Sequence, residues 1–193
     1  MTCPTVPHLT ATPSPWVRRW MHLLTERTCV LDVACGWGRH MQLLSQQGHE
    51  VVGVDRDPQA IAAASAFGEA IQADIEVGPW PLQNRQFGGV VVTNYLWRAL
   101  WPQIMDSLAP GGVLIYETFS AGNETVGKPS RPDFLLHAGE LLATCAHLHV
   151  VAFEEGFLNS PQRFVQRIVA VRSSDAQSPG TRFDLNPSLQ SLE

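Results

Sequence analysis

Five short runs of apolar, mostly β-branched residues recur along the chain at 29–34, 49–54, 70–73, 90–92 and 113–118, and the stretches between most of them carry helix signals. Strands that read as near-continuous apolar runs, instead of alternating with polar residues, are buried on both faces. Separated by helices, they make a parallel sheet covered on both sides.

Local signals place the helices. Ser14 followed by Pro15 is an N-cap with proline at the first helical position, leading into Trp16, Val17, Trp20, Leu23 and Leu24 at helical spacing. A helix over 39–47 is closed by Gly48, and Asp57 with Pro58 starts an alanine-rich helix that ends near Gly68. Leu100, Ile104 and Leu108 repeat every four residues and predict a helix that stops at Pro110, Gly111 and Gly112. Gly78, Pro79, Trp80 and Pro81 mark a loop. A last helix is expected over 139–146, then strands over 148–153 and 164–171. Their connection, 154–163, is too short for a helical crossover, so the pair is antiparallel. The expected fold is an α/β, Rossmann-like, doubly wound and mostly parallel seven-stranded sheet with an antiparallel last strand. One domain is expected over 14–172, with flexible termini at 1–13 and 173–193.

Composition narrows the function classes. With 193 residues, 45% of them hydrophobic and 16% charged, there is enough apolar material for one core, which excludes disorder as the main state. The net charge of −5 supplies no basic field for a phosphate backbone, so no nucleic-acid partner is expected. No run approaches the ~20 apolar residues of a bilayer span, and residues 1–15 lack the basic and apolar regions of a secretion signal. Cys3, Cys29, Cys35 and Cys145 fall at no metal-like spacing and read as reduced packing residues, so a cytoplasmic setting without membrane association is expected.

In an open α/β sheet, ligands bind beyond the carboxyl ends of the strands where the winding reverses. Four groups fall there. Asp32, Val33, Ala34, Cys35, Gly36, Trp37, Gly38 and Arg39 form a strand end and glycine turn that open a helix, so the backbone can approach a ligand closely. Asp55, beside Arg56, ends the second strand, where a carboxylate can accept both hydroxyls of a ribose. Asp74, with Ile75, follows the third strand, and Thr93, Asn94 and Tyr95 follow the fourth.

This ordering resembles the class I S-adenosylmethionine-dependent methyltransferases over roughly residues 14 to 172. Residues 30–38 look like the family's first motif, 51–55 like its second, and 72–75 like its adenine-recognising segment. Residues 108–114 are similar to its turn into the fifth strand. The Gly36, Trp37, Gly38, Arg39 variant resembles a small bacterial tellurite-resistance-type subgroup. The resemblance implies S-adenosyl-L-methionine as cofactor. Asp32 then lies by the methionine amino end, Ala34, Cys35, Gly36, Gly38 and Arg39 lie around the cofactor loop, Asp55 and Arg56 lie at the ribose, Asp74 and Ile75 border adenine, and Asn94 borders the methionine. Ala34 stands where the family has its first glycine, a mild departure provided that its φ stays negative.

A nicotinamide-binding oxidoreductase would also need glycines after strand one and an acidic residue about 20 positions on. Asp55 satisfies the second condition, but Met41 occupies the place of the third glycine. A non-catalytic cofactor-binding regulator would share every motif. The expected reaction is in-line methyl transfer to a small-molecule acceptor. Tyr95, Tyr116, Glu117 and His40 lie near strand ends as candidate bases, and none is assigned. Trp80 and Trp97 are candidate pocket walls, Trp101 a core residue, and the polar stretch 120–132 a candidate lid in which Lys128, Arg131 and Asp133 could grip an anion. No metal site is expected: His147 and His149 share a strand face without a third ligand.

Overall fold

The computed structural model describes residues 12–174 and 181–186. Its helices are α1 (Pro15–Trp20), α2 (Arg39–Gln46), α3 (Pro58–Ala64), α4 (Trp101–Asp106) and α5 (Glu140–Thr144). Its strands are β1 (Cys29–Val33), β2 (Glu50–Asp55), β3 (Glu69–Gln72), β4 (Phe87–Thr93), β5 (Leu108–Phe119), β6 (His149–Asn159) and β7 (Gln162–Val171). The strands form one sheet in the order β3-β2-β1-β4-β5-β7-β6. Strands β1 to β5 are mutually parallel, and β7 runs antiparallel to both β5 and β6. The winding reverses between β1 and β4, so their carboxyl ends open a crevice.

Alternate residues of the strands feed two separate cores. Leu31, Val33, Val90, Val92, Leu114 and Tyr116 pack with Ile104 of α4 and Leu141 of α5 on one face. Val30, Val51, Val91, Val113 and Ile115 pack with Trp16 and Trp20 of α1, Met41 and Leu44 of α2, and Ala64 of α3 on the other. Burial of both faces is what the apolar runs require. The caps act as expected: Ser14 Oγ accepts from the Trp16 N–H, and Asp57 accepts from the Gln59 and Ala60 N–H groups.

Several boundaries differ from the sequence reading. Leu108 does not end a helix but begins β5, because Phe87 pairs with Leu108 and Gly89 next pairs with Val113, so residues 109–112 bulge out of the ladder. The bulge is held by Gly111 N–H donating to the Arg172 carbonyl and by Arg172 N–H donating to the Gly112 carbonyl. Helix α3 stops at Ala64, short of Gly68. Strands β6 and β7 are longer than expected and joined through Ser160 and Pro161 alone. Their polar residues pair across the ladder, Glu154 with Arg167 and Glu155 with Gln166, on an edge hairpin that tolerates charge. His147 sits in a turn before β6 and not on the strand with His149.

The flexible termini expected at 1–13 and 173–193 fall partly outside the described residues. Within 181–186, the Asp184 carbonyl lies 2.9 Å from His22 Nε2, and the Phe183 ring packs against His149 with centroids 5.1 Å apart. No helix among the described residues is long and apolar enough to cross a membrane. Cys29, Cys35 and Cys145 are unpaired, and no group of three His, Cys, Asp or Glu among the described residues could hold a metal ion.

Candidate active site

The turn after β1 alternates in hand. Ala34, Gly36 and Gly38 have φ of +53°, +52° and +78°. The expectation that Ala34 keeps a negative φ is therefore corrected: its Cβ is carried in the left-handed region, which costs an L-residue about 1–2 kcal/mol. The conformation is enforced from both sides, since the Cys35 N–H donates to the Val54 carbonyl and the Gly36 N–H donates to Asp55 Oδ2, 2.9 Å away. Gly38 has a different task from the one expected. A Cβ there would meet Ala64 at 3.0 Å, so this glycine lets the start of α2 pack on α3 and does not line the crevice. Close packing of α2 on the sheet, which a glycine at position 41 would allow, is achieved by Gly53 of β2, whose bare Cα accepts the Met41 and Cys35 sulfurs.

The crevice has three adjoining compartments. The largest, about 450 Å³, is lined by Ala34, Cys35, Gly36, Trp37, Arg39 and Asn94 among others. A second, about 160 Å³, is lined by Ala34, Asp55, Arg56, Asp74, Ile75 and Tyr95. Ala34 is common to both, so Ala34, Cys35, Gly36, Arg39, Asp55, Arg56, Asp74, Ile75 and Asn94 border joined compartments, while Asp32 and Gly38 line neither. Asp55 keeps its carboxylate fixed by accepting also from the Asp57 N–H at 2.9 Å, and Asp74 accepts from the Glu76 N–H at 3.1 Å. A third compartment, about 190 Å³, shares Asn94 with the first and Tyr95 with the second.

Asp32 lies beneath the turn, 1% exposed, and its Oδ2 has no hydrogen bond in the protein. Burial pushes its pKa up to about 7, the Arg39 guanidinium opposing and Asp55 adding to the shift. His40 Nδ1 stands 3.9 Å from that oxygen. Its Nε2 accepts the Ser14 N–H at 3.1 Å, and burial, with Arg39 and Arg18, pushes its pKa down to about 3. The imidazole is therefore neutral, and it stands between the Ser14 backbone and Asp32 at the wall of the largest compartment. Glu117, also 1% exposed, accepts from Ser14 Oγ, Arg163 and Arg167. Tyr116 is fully buried, donates to the Tyr95 carbonyl and has its pKa raised by burial. Of the four candidate bases, His40 borders the largest compartment and the half-buried Tyr95 the second, the latter with its pKa raised by burial and by the nearby Glu76.

Sequence reasoning missed Arg98 and Glu140. Arg98 donates to Glu140 Oε1 at 2.6 Å and Oε2 at 2.9 Å, and to the Asp133 and Leu135 carbonyls at 2.8 and 2.9 Å. The stretch read as a lid is folded onto the sheet by that clamp and by buried Asn123, which accepts the Phe164 N–H and donates to the Pro129 carbonyl. Arg131 is spent on Asp133 at the surface. Trp80, Trp97 and Trp101 all pack against the core. An isolated Arg among apolar residues carries no sequence signature of a clamp whose partner is 42 residues away.

Residues 30–112 match the family model described as a methyltransferase domain. The chain is 34% identical over 118 residues to the tRNA U34 carboxymethyltransferase of Klebsiella pneumoniae, covering 53% of this chain and 35% of that protein. It is 43% identical over 68 residues to the ribosomal RNA small subunit methyltransferase H of Picosynechococcus, covering 32% and 23%. The chain thus spans about a third or less of these curated relatives. Among solved structures, TehB from Haemophilus influenzae has a TM-score of 0.69 at 18% identity, covering 85% of this chain and 63% of that one. A TehB-like SAM-dependent methyltransferase from Corynebacterium glutamicum gives 0.62 at 21%, covering 82% and 87%. Over 30–112 the chain is thus similar to a methyltransferase domain, and its sheet order with the reversed β7 gives it the fold of these solved structures.

Proposed function

We propose that the chain binds S-adenosyl-L-methionine in the crevice and transfers its methyl group to a small-molecule acceptor. The observation that carries the reading is the convergence of Ala34, Asp55, Asp74, Ile75 and Asn94 on joined compartments above a buried carboxylate with one free oxygen. When bound, the cofactor supplies a methyl group already activated by a positively charged sulfonium. Asp55, fixed by two backbone N–H groups, accepts the ribose hydroxyls beside Arg56. Asp74 and Ile75 flank the adenine. Asp32 Oδ2 serves the methionine ammonium from below, and Asn94 borders the same end from β4. Gly36 leaves open space where a Cβ would stand, which admits a ligand against the backbone. The chain's residues align reactants and exclude water, and no covalent enzyme intermediate is required.

The relatives named for ribosomal RNA and tRNA invite a nucleic-acid acceptor. The net charge of −5 and the folded, clamped 120–136 segment favour a small one. We take 14–172 as the catalytic unit and the cytoplasm as its setting. Calorimetric titration with S-adenosylmethionine, S-adenosylhomocysteine and NAD tests the cofactor. Micromolar affinity for the adenosyl compounds is expected, weakened by about 1–3 kcal/mol in Asp55→Ala. Binding of NAD alone would overturn the reading in favour of an oxidoreductase.

A further inference from the structure

The third compartment lies on the face of the sheet that carries α4 and α5, at the ends of β4 and β5, and is lined by Tyr95, Leu96, Thr118, Phe119, Pro129 and Phe134. Two hydroxyls of residues that line it are unusual. The Tyr95 hydroxyl, with the Glu76 carboxylate near it, and Thr118 Oγ1 are both buried and make no hydrogen bond of good geometry in the protein. Leaving a buried hydroxyl unmet is costly, so each such atom needs a reason. Two of them in one pocket, on adjoining elements, mark a place built to meet polar groups from outside the chain.

We propose that this pocket is the methyl-acceptor site and that it takes a single aromatic ring bearing hydroxyl groups. The proposal rests on the cofactor reading above and deepens it. Asn94 and Tyr95 link the pocket to the two compartments assigned to the cofactor, so an acceptor seated there faces the methionine end. The volume of about 190 Å³ falls below the ~300–1,000 Å³ of sites for larger ligands, which restricts the occupant to about one ring. Phe119, Phe134 and Pro129 supply flat apolar walls suited to an aromatic face. Each orphan hydroxyl can both donate and accept, which a ring hydroxyl matches. The walls are rigid because Arg98 bonds the carbonyls of Asp133 and Leu135 on either side of Phe134, and Asn123 holds Pro129.

In the transfer, the ring oxygen forms its bond to the methyl carbon while the carbon–sulfur bond breaks and leaves its electron pair on sulfur. The ring hydroxyl's proton leaves to the Glu76 carboxylate, which lines both this pocket and the adenine compartment, and from there to water. The products are an aryl methyl ether, the thioether S-adenosylhomocysteine and a proton.

The test measures binding of catechol and of benzene to the protein, with and without saturating S-adenosylhomocysteine, in wild type, in Tyr95→Phe/Thr118→Val and in Phe134→Ala. Wild type should prefer catechol to benzene by tenfold or more. The double variant should lose that preference, and Phe134→Ala should bind both rings less tightly. Far-ultraviolet circular dichroism and the urea midpoint of each variant should match wild type as evidence of an intact fold. Catechol that fails to bind wild type, or binds the double variant equally well, would overturn the site. Failure of S-adenosylhomocysteine to bind wild type, with catechol selectivity intact, would instead overturn the cofactor reading.

Discussion

The hydroxyl of Ser14, at the start of α1, donates to Oε1 of Glu117 near the end of β5 over 2.9 Å, although the two are 103 residues apart. The same oxygen accepts the Trp16 N–H at 3.0 Å, so one atom caps a helix and partners a buried carboxylate. Removing it in Ser14→Ala takes away a cap worth about 0.5–2 kcal/mol and a hydrogen bond to a charged group worth about 1.5–3 kcal/mol. Arg163 and Arg167 still pair with Glu117, so the expected loss is about 2 kcal/mol in urea unfolding, with m unchanged. The Ser14 N–H still reaches His40, and cofactor affinity should therefore hold. A loss under about 0.5 kcal/mol would show that the bond is not made in solution.

Ala34 makes an opposite prediction. Its φ of +53° is imposed by the ladder and by Asp55, and an L-residue there gives up about 1–2 kcal/mol. Glycine removes that strain but adds about 0.5–1 kcal/mol of unfolded-state entropy. Ala34→Gly should thus gain a few tenths to about 1 kcal/mol, seen as a higher urea midpoint. Destabilisation by the same amount would mean that the backbone is not left-handed at this residue.

Arg98 tests whether the 120–136 segment depends on its clamp. Its planar fork meets a carboxylate and two carbonyls at once, a geometry that lysine cannot reproduce. Amide hydrogen exchange across 120–136 should rise by about tenfold or more in Arg98→Ala and in Arg98→Lys, while the strands β1 to β4 stay protected. Equal protection of the segment in both variants would assign its order to Asn123 and the apolar contacts of Leu135 and Leu136 instead.

The sheet was legible because burial on both faces forces near-continuous apolar runs, as in Val30, Leu31 and Val33 or Val90, Val91 and Val92. Short-range chemistry was legible too: Ser14 and Asp57 cap the helices that they precede. Failures came where a long-range pairing decides. Leu108 keeps helical spacing with Ile104, yet its partner is Phe87 on β4. Glu154 and Arg163 read as loop residues until β6 and β7 pair them into a hairpin. Asp32, Asp55 and Asp74 could be placed at strand ends from sequence, but the burial that separates Asp32 from the other two, with His40 of α2 beside it, exists only in the folded chain. Thr118 gave no signal and Tyr95 only its place after the fourth strand, since an orphan hydroxyl exists only once its surroundings are built.

Asp32 and His40 give the domain a pH dependence with two opposing parts. Burial first, with Asp55 adding and Arg39 opposing, raises Asp32 to about 7 from 3.8. Between those values the native state holds a proton that the unfolded chain has released, so this group's contribution to stability is full below about pH 4 and is lost as pH rises through 7. His40 is lowered to about 3 from 6.5, and its contribution is present above 6.5 and lost as pH falls toward 3. The two slopes oppose each other at mildly acidic pH, and between about 6.5 and 7 only Asp32 remains. Asp32→Asn should therefore be more favourable relative to wild type at pH 8 than at pH 5, in urea unfolding at both. The same proton reports on the ligand. A cationic group placed beside Oδ2 favours the ionised carboxylate, so at pH 6 wild type should release up to one proton on binding S-adenosylmethionine. Calorimetry in two buffers of different ionisation enthalpy reads that proton directly. Asp32→Asn should release none and bind more weakly, and equal release by both proteins would place the methionine ammonium away from Asp32.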